Sequence, residues 1–520
     1  MILTRQSKTL LGASATLAFW GLLSRILGVL RDRILTSHFG ASDLLDVYYV
    51  SFDIPDFVFN LLVVGAVSSA FIPIFIEYQS RKQGEEWNLA NNFLNILIAI
   101  MAVTVGIMFI FTPWLIHIIA PGFVSEKKDL AVLFTRTMLL SPIIFSVSVV
   151  IGSVLQIFNR FFVYALAPIM YNLGIIFGAI FLVPRFGPLG LAEGVVSGAL
   201  FHLLIQLPAL RGTGFKWKKI LDFGDLGMKK ILRLMIPRTV GVALLQINLI
   251  VLDALSSKIS SGSVTVIHLA NNFQYLPISL VGISTAVASF PTLSRQALEK
   301  DKTVFTERIN RTLRQILFII LPLSFLMVYL RIDLVRAVLG SGLFTPRDVE
   351  LAGNVLGFFM IGVFAQSIIP LLARSFYAMQ NTRIPVMASI VGVAANIFFA
   401  WYFSSSLKIF ALPLAFSLAG ILNSVILLAF LKYNLRSFSL KGLGIYLLKL
   451  VYVCVVMFLV MTVADIFINF DSSFAGSLYQ LTTLSVISIL TFGLFSSILK
   501  LKELRVFSDL IFGGIKKYER

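Results

Sequence analysis

The stretch LANNFLNILIAIMAVTVGIMFIFT, residues 89–112, decides the class of fold. It carries no charged residue over a length that exceeds the about 20 apolar residues needed to cross a bilayer as a helix. A segment in lipid must satisfy every backbone N–H and C=O internally, and a helix does so. Working outward, thirteen further segments read the same way: 9–30, 44–76, 131–156, 162–184, 189–210, 232–256, 264–291, 315–339, 350–378, 385–404, 408–431, 443–466 and 477–499. The first is not a cleaved leader, because its apolar run is long, it contains Arg25 and no cleavage site follows. Composition agrees. Of 520 residues, 58% are hydrophobic, 13% are charged and 47 are Phe; mean hydropathy is +0.93. A soluble surface needs about 25% charged residues. The expectation is an all-α integral membrane protein with about 14 transmembrane helices.

The 43 Lys+Arg outnumber the 25 Asp+Glu, for a net charge of +18. Cytoplasmic loops concentrate Lys and Arg, and fourteen spans with both termini inside place about 27 of them in that set of loops against about 10 opposite. The excess is therefore accounted for without nucleic acid. Two basic loops are longer: 211–230, read as a linker between bundles, and 294–314, read as an amphipathic surface helix on anionic headgroups or a solvated loop.

The chain also echoes itself. Ile54-Pro55, Gly65-Ala66 and Phe71-Ile72-Pro73 return as Leu276-Pro277, Gly282-Ile283 and Phe290-Pro291, and Asn159-Arg160 with Pro168 returns as Asn381-Thr382-Arg383 with Pro385. Gly65 to Gly282 and Pro168 to Pro385 are both 217 positions. Six spans per repeat is an even number, so the repeats run parallel. This gives an N-lobe over 1–210, a basic linker over 211–231, a C-lobe over 232–433, and two extra helices with a basic tail over 434–520.

Charges within apolar segments need an account. An Arg at the bilayer centre costs about 2.5–3.5 kcal/mol on insertion scales, so it faces a cavity or a partner, or snorkels to the interface. Arg25 and Arg31 lie six positions apart, about 120° around a helix, and bending at Gly28 would aim both at one cavity. Guanidinium groups suit phosphate oxygens. Asp46 is placed to pair with Arg25 or Arg31, or to serve as a helix N-terminal acid. Asp53 and Asp56 flank Pro55. Asp253 is a candidate for a coupling cation or an interfacial acid, Arg238 an anchor, and Arg374 a second-lobe cavity residue. Cys454 is a single thiol in an apolar run, and His38, His117, His202 and His268 show no ligand spacing, so no metal or disulfide framework is expected. No catalytic constellation is visible.

The run Ser24-Arg25-Ile26-Leu27-Gly28-Val29-Leu30-Arg31-Asp32 resembles the signature of the MurJ (MviN) family. So do Phe39-Gly40-Ala41, Asp46, Pro55, Gly65-Ala66, Ala70-Phe71-Ile72-Pro73, Glu77-Tyr78, Ala120-Pro121-Gly122-Phe123, Asn159-Arg160-Phe161, Pro291-Thr292-Leu293-Ser294-Arg295, and Phe376-Tyr377 with Gln380-Asn381-Thr382-Arg383-Ile384-Pro385-Val386. The order holds over about 430 residues. The family belongs to the multidrug/oligosaccharidyl-lipid/polysaccharide exporter superfamily, and its members flip lipid II from the inner to the outer leaflet. The resemblance implies a monomer in a bacterial cytoplasmic (inner) membrane, a V-shaped two-lobe cavity, a groove between the two extra helices for the polyprenyl tail, and pyrophosphate binding by Arg25 and Arg31 with Asp46. It implies no cofactor and no enzymatic activity. Five positions depart from the family pattern: Phe59 and Asn60 replace an Arg pair, Val64 replaces a Glu, and Asn271-Asn272 replaces Asp-Arg. Asp53, Asn272 and Arg374 remain cavity-lining candidates. The departures keep open a flippase for another polyprenyl-linked glycan or a multidrug exporter. An integral-membrane glycosyl- or acyltransferase needs an acidic metal motif or a loop histidine that the sequence lacks, and a non-transporting scaffold has no use for Arg25 and Arg31.

Overall fold

The computed structural model describes residues 10–64, 71–81, 84–299, 301–435, 437–468, 470–471 and 473–504. Among these the protein is helical, with no strand. Gly65, Ala66 and Ala70 of the first echo, the side chains of Val64 and Arg238, and the basic tail 505–520 lie outside the described residues. The chain packs as two units, Met1–Thr265 with Ser341–Phe344, and Val266–Gly340 with Thr345–Arg520. The first unit thus extends past the 211–231 segment through the next helix, further than the N-lobe read from sequence.

The first unit contains α1 (Leu10–Phe39), α2 (Asp43–Val50), α3 (Asp53–Phe59), α4 (Ile72–Arg81), α5 (Glu85–Ile119), α6 (Ser125–Met138), α7 (Leu140–Ile157), α8 (Phe161–Phe177), the short α9 (Val183–Phe186), α10 (Gly190–Leu204) and α11 (Leu226–Ser256). α8 and α10 approach so closely that a Cβ on Gly174 would lie 2.1 Å from the Cα of Gly198. Small residues permit such backbone contact in membranes, where packing rather than water drives association.

The 211–231 segment is not a free linker. Asn88, Asn91, Asn92 and Asn95 recur at i, i+3, i+4 and i+7 along α5 and so share one face. Asn92 accepts from the Asp222 amide and donates to its carbonyl, both at 2.7 Å. Asn91 does the same with the Lys218 amide (2.8 Å) and the Lys216 carbonyl (3.0 Å), and Asn95 donates to the carbonyls of Lys218 and Ile220. Side-chain amides here take the place of a neighbouring strand and satisfy an extended backbone. Arg160, buried, pins the start of the segment by donating to the carbonyls of Ala209 and Arg211.

The second unit begins inside α12 (Ser263–Pro277), at Val266, and contains α13 (Ser284–Gln296), α14 (Thr303–Tyr329), α15 (Arg331–Leu339), α16 (Pro346–Ala378), α17 (Arg383–Leu407), α18 (Ala411–Asn434), α19 (Leu440–Ile468) and α20 (Phe474–Ile498). The charged residues after Asp301, expected as a surface helix or loop, form the opening turns of α14, which runs on into the apolar segment.

Among the described residues, nine helical stretches are long and apolar enough to cross a membrane. Two of them, Phe161–Leu210 and Arg383–Asn434, each hold two of the spans read from sequence. The expected spans 9–30, 44–76 and 232–256 correspond to α1, the interrupted α2–α4 series and α11, outside those nine.

The sequence echo has a backbone counterpart. A π-helical turn follows Pro55 at Asn60–Val64 and follows Pro277 at Ile278–Ile283. Proline lacks an N–H and crowds the preceding turn, and a widened turn is one way to absorb that. α7 and α16 end alike. Asn159 (φ 57) and Gln380 (φ 58) are left-handed, and the next amide reaches back five residues, Arg160 to Leu155 at 2.8 Å and Asn381 to Phe376 at 2.9 Å. This is the Schellman closure, built twice.

Candidate functional site

A cavity of about 550 Å³ lies inside the first unit. Arg25 reaches it from α1, Ser148 and Gln156 from α7, Tyr164 and Pro168 from α8, and His202 from α10. Arg25 is half-buried. Its Nη1 is buried and, among the described residues, has no hydrogen-bond partner. A buried charged donor left unmade is costly, and an anionic oxygen is the acceptor that relieves it best.

Another part of the cavity wall is a polar network. Ser148 Oγ lies 2.6 Å from His202 Nδ1 and accepts from Gln206 Nε2 at 2.9 Å. Gln206 Oε1 is buried and unpartnered among the described residues. His202 has no metal-ligand spacing in the sequence, and Gln206 and Ser148 are not among the candidates read from it. The available signal was the i, i+4 spacing of His202 and Gln206, which puts both on one helical face.

Arg31 is held differently. Its Nε and Nη2 donate to Asp32 Oδ1 at 3.0 and 2.7 Å, and its Nη1 donates to Asn172 Oδ1 at 3.2 Å. Asn172 in turn donates to the carbonyl of Pro168 at 3.1 Å. Arg25 therefore faces the cavity, whereas Arg31, six residues further along, braces α1 against α8.

Asp46 does not pair with either arginine, which corrects the reading from sequence. It is 1% exposed and accepts four hydrogen bonds: from Lys127 Nζ (2.9 Å), the Gly262 amide (2.8 Å), the Thr265 amide (2.9 Å) and Thr265 Oγ1 (2.8 Å). The physical reason is donor supply. The turn through Gly262 and the start of α12 offers amides that no helical carbonyl takes, and Lys127 adds a cation. Gly262 has φ 82, and a Cβ there would sit 2.5 Å from the Ala41 carbonyl oxygen, so only glycine brings that amide to Asp46.

Asp53 is buried on α3 and Asp253 is buried on α11, and the two carboxyl groups are neighbours, with Asp53 Oδ2 lacking a hydrogen-bond partner among the described residues. Asp56 is exposed. Phe59, at a family arginine position, packs its ring 5.4 Å from Phe145, which also meets Tyr171 and the cavity residue His202. In the second unit, half-buried Arg374 donates to the carbonyl of Ile283 at 3.4 Å, at the end of the π turn, and Asn272 is exposed on α12. Among the described residues no cluster of three or more His, Cys, Asp or Glu is arranged to hold a metal.

The described residues, all helical and rich in apolar spans, with a cationic group facing a cavity inside one unit, have the architecture of a polytopic membrane protein. Solved structures agree on the fold. "Lipid II flippase MurJ, inward closed conformation" superimposes with a TM-score of 0.76 at 24% identity, covering 95% of this chain and 99% of that one. An inward-facing multidrug resistance MATE transporter of the MOP superfamily gives 0.65 at 16% identity, covering 80% and 96%. The family described as "Lipid II flippase MurJ" matches residues 35–495, and the chain belongs to that family. Its relatives include the "Probable lipid II flippase MurJ" of Buchnera aphidicola from Acyrthosiphon pisum, 32% identical with 72% of this chain and 74% of that protein covered. That of Thermotoga maritima is 30% identical, with 92% and 95% covered. The "Lipid II flippase MurJ" of Burkholderia cenocepacia is 27% identical, with 80% and 82% covered.

Proposed function

We propose that this protein translocates lipid II, the undecaprenyl-pyrophosphate-linked peptidoglycan precursor, from the inner to the outer leaflet of the cytoplasmic membrane. The observation that carries the reading is the Arg25 guanidinium, which lies against a cavity with a buried donor unsatisfied, in a chain of the MurJ family. Arg25 takes a pyrophosphate oxygen, and Arg31, fixed by Asp32 and Asn172, supplies positive field beside it. Asn272 and Arg374 are assigned to the C-lobe side of the path. The two lobes alternate access, the protein acts as a monomer with both termini cytoplasmic, and it catalyses no bond chemistry. An inside-negative potential favours outward movement of an anion by about 2.3 kcal/mol per charge per 100 mV. A monovalent cation couples at Asp253, which Asp53 faces.

The test is rescue. A bacterium depleted of its own lipid II flippase expresses this protein, and lipid II exposed at the outer face is measured for wild type and Arg25→Ala. Restoration by wild type and its loss in a normally inserted Arg25→Ala supports the reading. A well-inserted wild type that restores no exposure overturns lipid II as the substrate and favours another polyprenyl-linked glycan, to which the family departures at Phe59, Asn60 and Asn272 then point.

A further inference from the structure

A second cavity, of about 470 Å³, lies in the second unit. It is formed where three helix ends meet: the opening turns of α14, the segment before α19, and the residues after α20. Its charged lining is Arg311, Arg314 and Lys502 with Glu307 and Glu503. These five charges of both signs share one space, yet among the described residues no ion pair joins them. A structural salt-bridge cluster would have closed on itself.

Arg314 shows how the site is built. Its guanidinium lies 5.1 Å from the centroid of the Tyr446 ring, and the Tyr446 hydroxyl donates to the Arg314 backbone carbonyl at 3.1 Å. Stacking orients the guanidinium plane, while Arg314 Nε is buried and has no partner among the described residues. Glu503 is 8% exposed, so an acid is buried in the same lining. A simple anion would meet Arg314 and repel Glu503. A simple cation would do the reverse.

The setting is lipidic. α14, α19 and α20 are apolar spans, and the ends that line this cavity also carry the charged turns. Next to Lys502, the outer face of α20 presents Leu494 and Ile498, about 60% exposed. Apolar side chains at that level have acyl chains as their solvent.

We propose that this cavity binds the headgroup of a zwitterionic aminophospholipid. Its phosphodiester is held by Arg314 and Lys502, its primary ammonium by Glu503 and Glu307, and its acyl chains lie along α20. A volume of 470 Å³ falls in the usual range for small-ligand cavities, about 300–1,000 Å³. The site is separate from the Arg25 cavity, and its occupancy does not depend on what the protein transports.

The experiment uses the full-length protein in phosphatidylcholine nanodiscs doped with either phosphatidylethanolamine or phosphatidylglycerol, with lipid retained after detergent extraction read by native mass spectrometry. Phosphatidylethanolamine is expected to be retained about tenfold over phosphatidylcholine, the value of one charged hydrogen bond. Choline's quaternary ammonium has no N–H to offer the carboxylates. Glu503→Gln should erase that preference, and Arg314→Gln should lower retention of both lipids. Because Glu503 is buried, Glu307→Gln on the exposed side is the second variant and should reduce the preference without affecting folding. Equal retention of all three lipids overturns the proposal. So does a preference for phosphatidylglycerol that Glu503→Gln strengthens, which would mark a plain anion site. Soluble O-phosphoethanolamine is the last arm: if it displaces the lipid at equal concentration, the ligand is a free phosphate ester and the lipid assignment falls.

Discussion

Asp43 and Asp46 both bind Lys127, and their distances rank them the wrong way round. Asp43 lies 2.6 Å from Lys127 Nζ and Asp46 lies 2.9 Å away. The side chain of Asp43 is 64% exposed, whereas that of Asp46 is 1% exposed. An exposed ion pair contributes about 0–1 kcal/mol. Asp46 differs because three of its four donors belong to Gly262 and Thr265, and water does not replace it. In Asp46→Asn the amide nitrogen must face one pair of donors. Facing Thr265, it confronts the Thr265 N–H, although the hydroxyl can turn to accept; facing Gly262, it confronts both an amide and the Lys127 ammonium. In the less costly orientation, facing Thr265, one buried donor is left unmade at about 1–3 kcal/mol, and the remaining bonds lose their charge assistance, which together give about 3 kcal/mol lost. Asp43→Asn should cost under about 1 kcal/mol. Lys127 keeps Asp43 in the Asp46 variant, so a double-mutant cycle of Asp46→Asn with Lys127→Met should return only about 1 kcal/mol of coupling, less than half of the Asp46 cost. Reversible unfolding in mixed micelles, followed by tryptophan fluorescence, measures all three. Equal costs for Asp43→Asn and Asp46→Asn, or a cycle that assigns Lys127 the whole effect, would refute this ranking.

Two further outcomes can be checked in the same assay. Gly198→Val should destabilise by about 1–3 kcal/mol or more, because a Cβ there already meets the Tyr171 carbonyl oxygen at 2.6 Å, while Gly106→Ala, which meets nothing within 4 Å, should be neutral or slightly stabilising. For acid stability, burial pushes the Asp43 carboxyl up, but hydrogen bonds from Lys127 and Ser261 and the Lys127 charge outweigh it and hold it below its ordinary 3.8. A depressed carboxyl stabilises above the unfolded-state value and loses that contribution as pH falls through the folded value, so wild type should lose its margin over Asp43→Asn on acidification below about pH 4, and the margin should be smaller in high salt.

The legible part of this protein was whatever depends on neighbours in sequence. Hydropathy over 20 residues reports a span because the bilayer tests each helix by itself, so the all-helical class and most of the apolar segments could be read. The echo of Pro55 and Pro277 was legible for the same reason, since a proline acts on its own turn and each is followed by a π turn. Partners distant in sequence were not. Asp46 is 216 and 219 positions from the residues whose amides it accepts, and nothing near Asp46 announces them. The four asparagines of α5 show a clear face, but that face reads equally as a cavity wall, and only the chain of Lys216–Asp222 laid along it reveals a clamp.

The same distinction governs the arginines, whose number says less than their saturation. Arg160 gives its Nη1 to two carbonyls of its own unit, while its Nε has no partner among the described residues. Arg31 is spent on Asp32 and Asn172. Each spends part of its donor capacity inside the protein, and neither lines the Arg25 cavity. Phe59 carries the argument further. The family resemblance assigns that position to arginine, yet here its ring packs on Phe145, which in turn meets His202 of the Arg25 cavity lining. A lower-dielectric wall strengthens the field of whatever charge remains. Arg25 is the one Lys or Arg among the described residues lining this cavity, and an aromatic layer stands behind its His202 wall. If an anionic headgroup binds there, Arg25 should carry a larger share of the affinity than any one arginine does in a relative that keeps the full set.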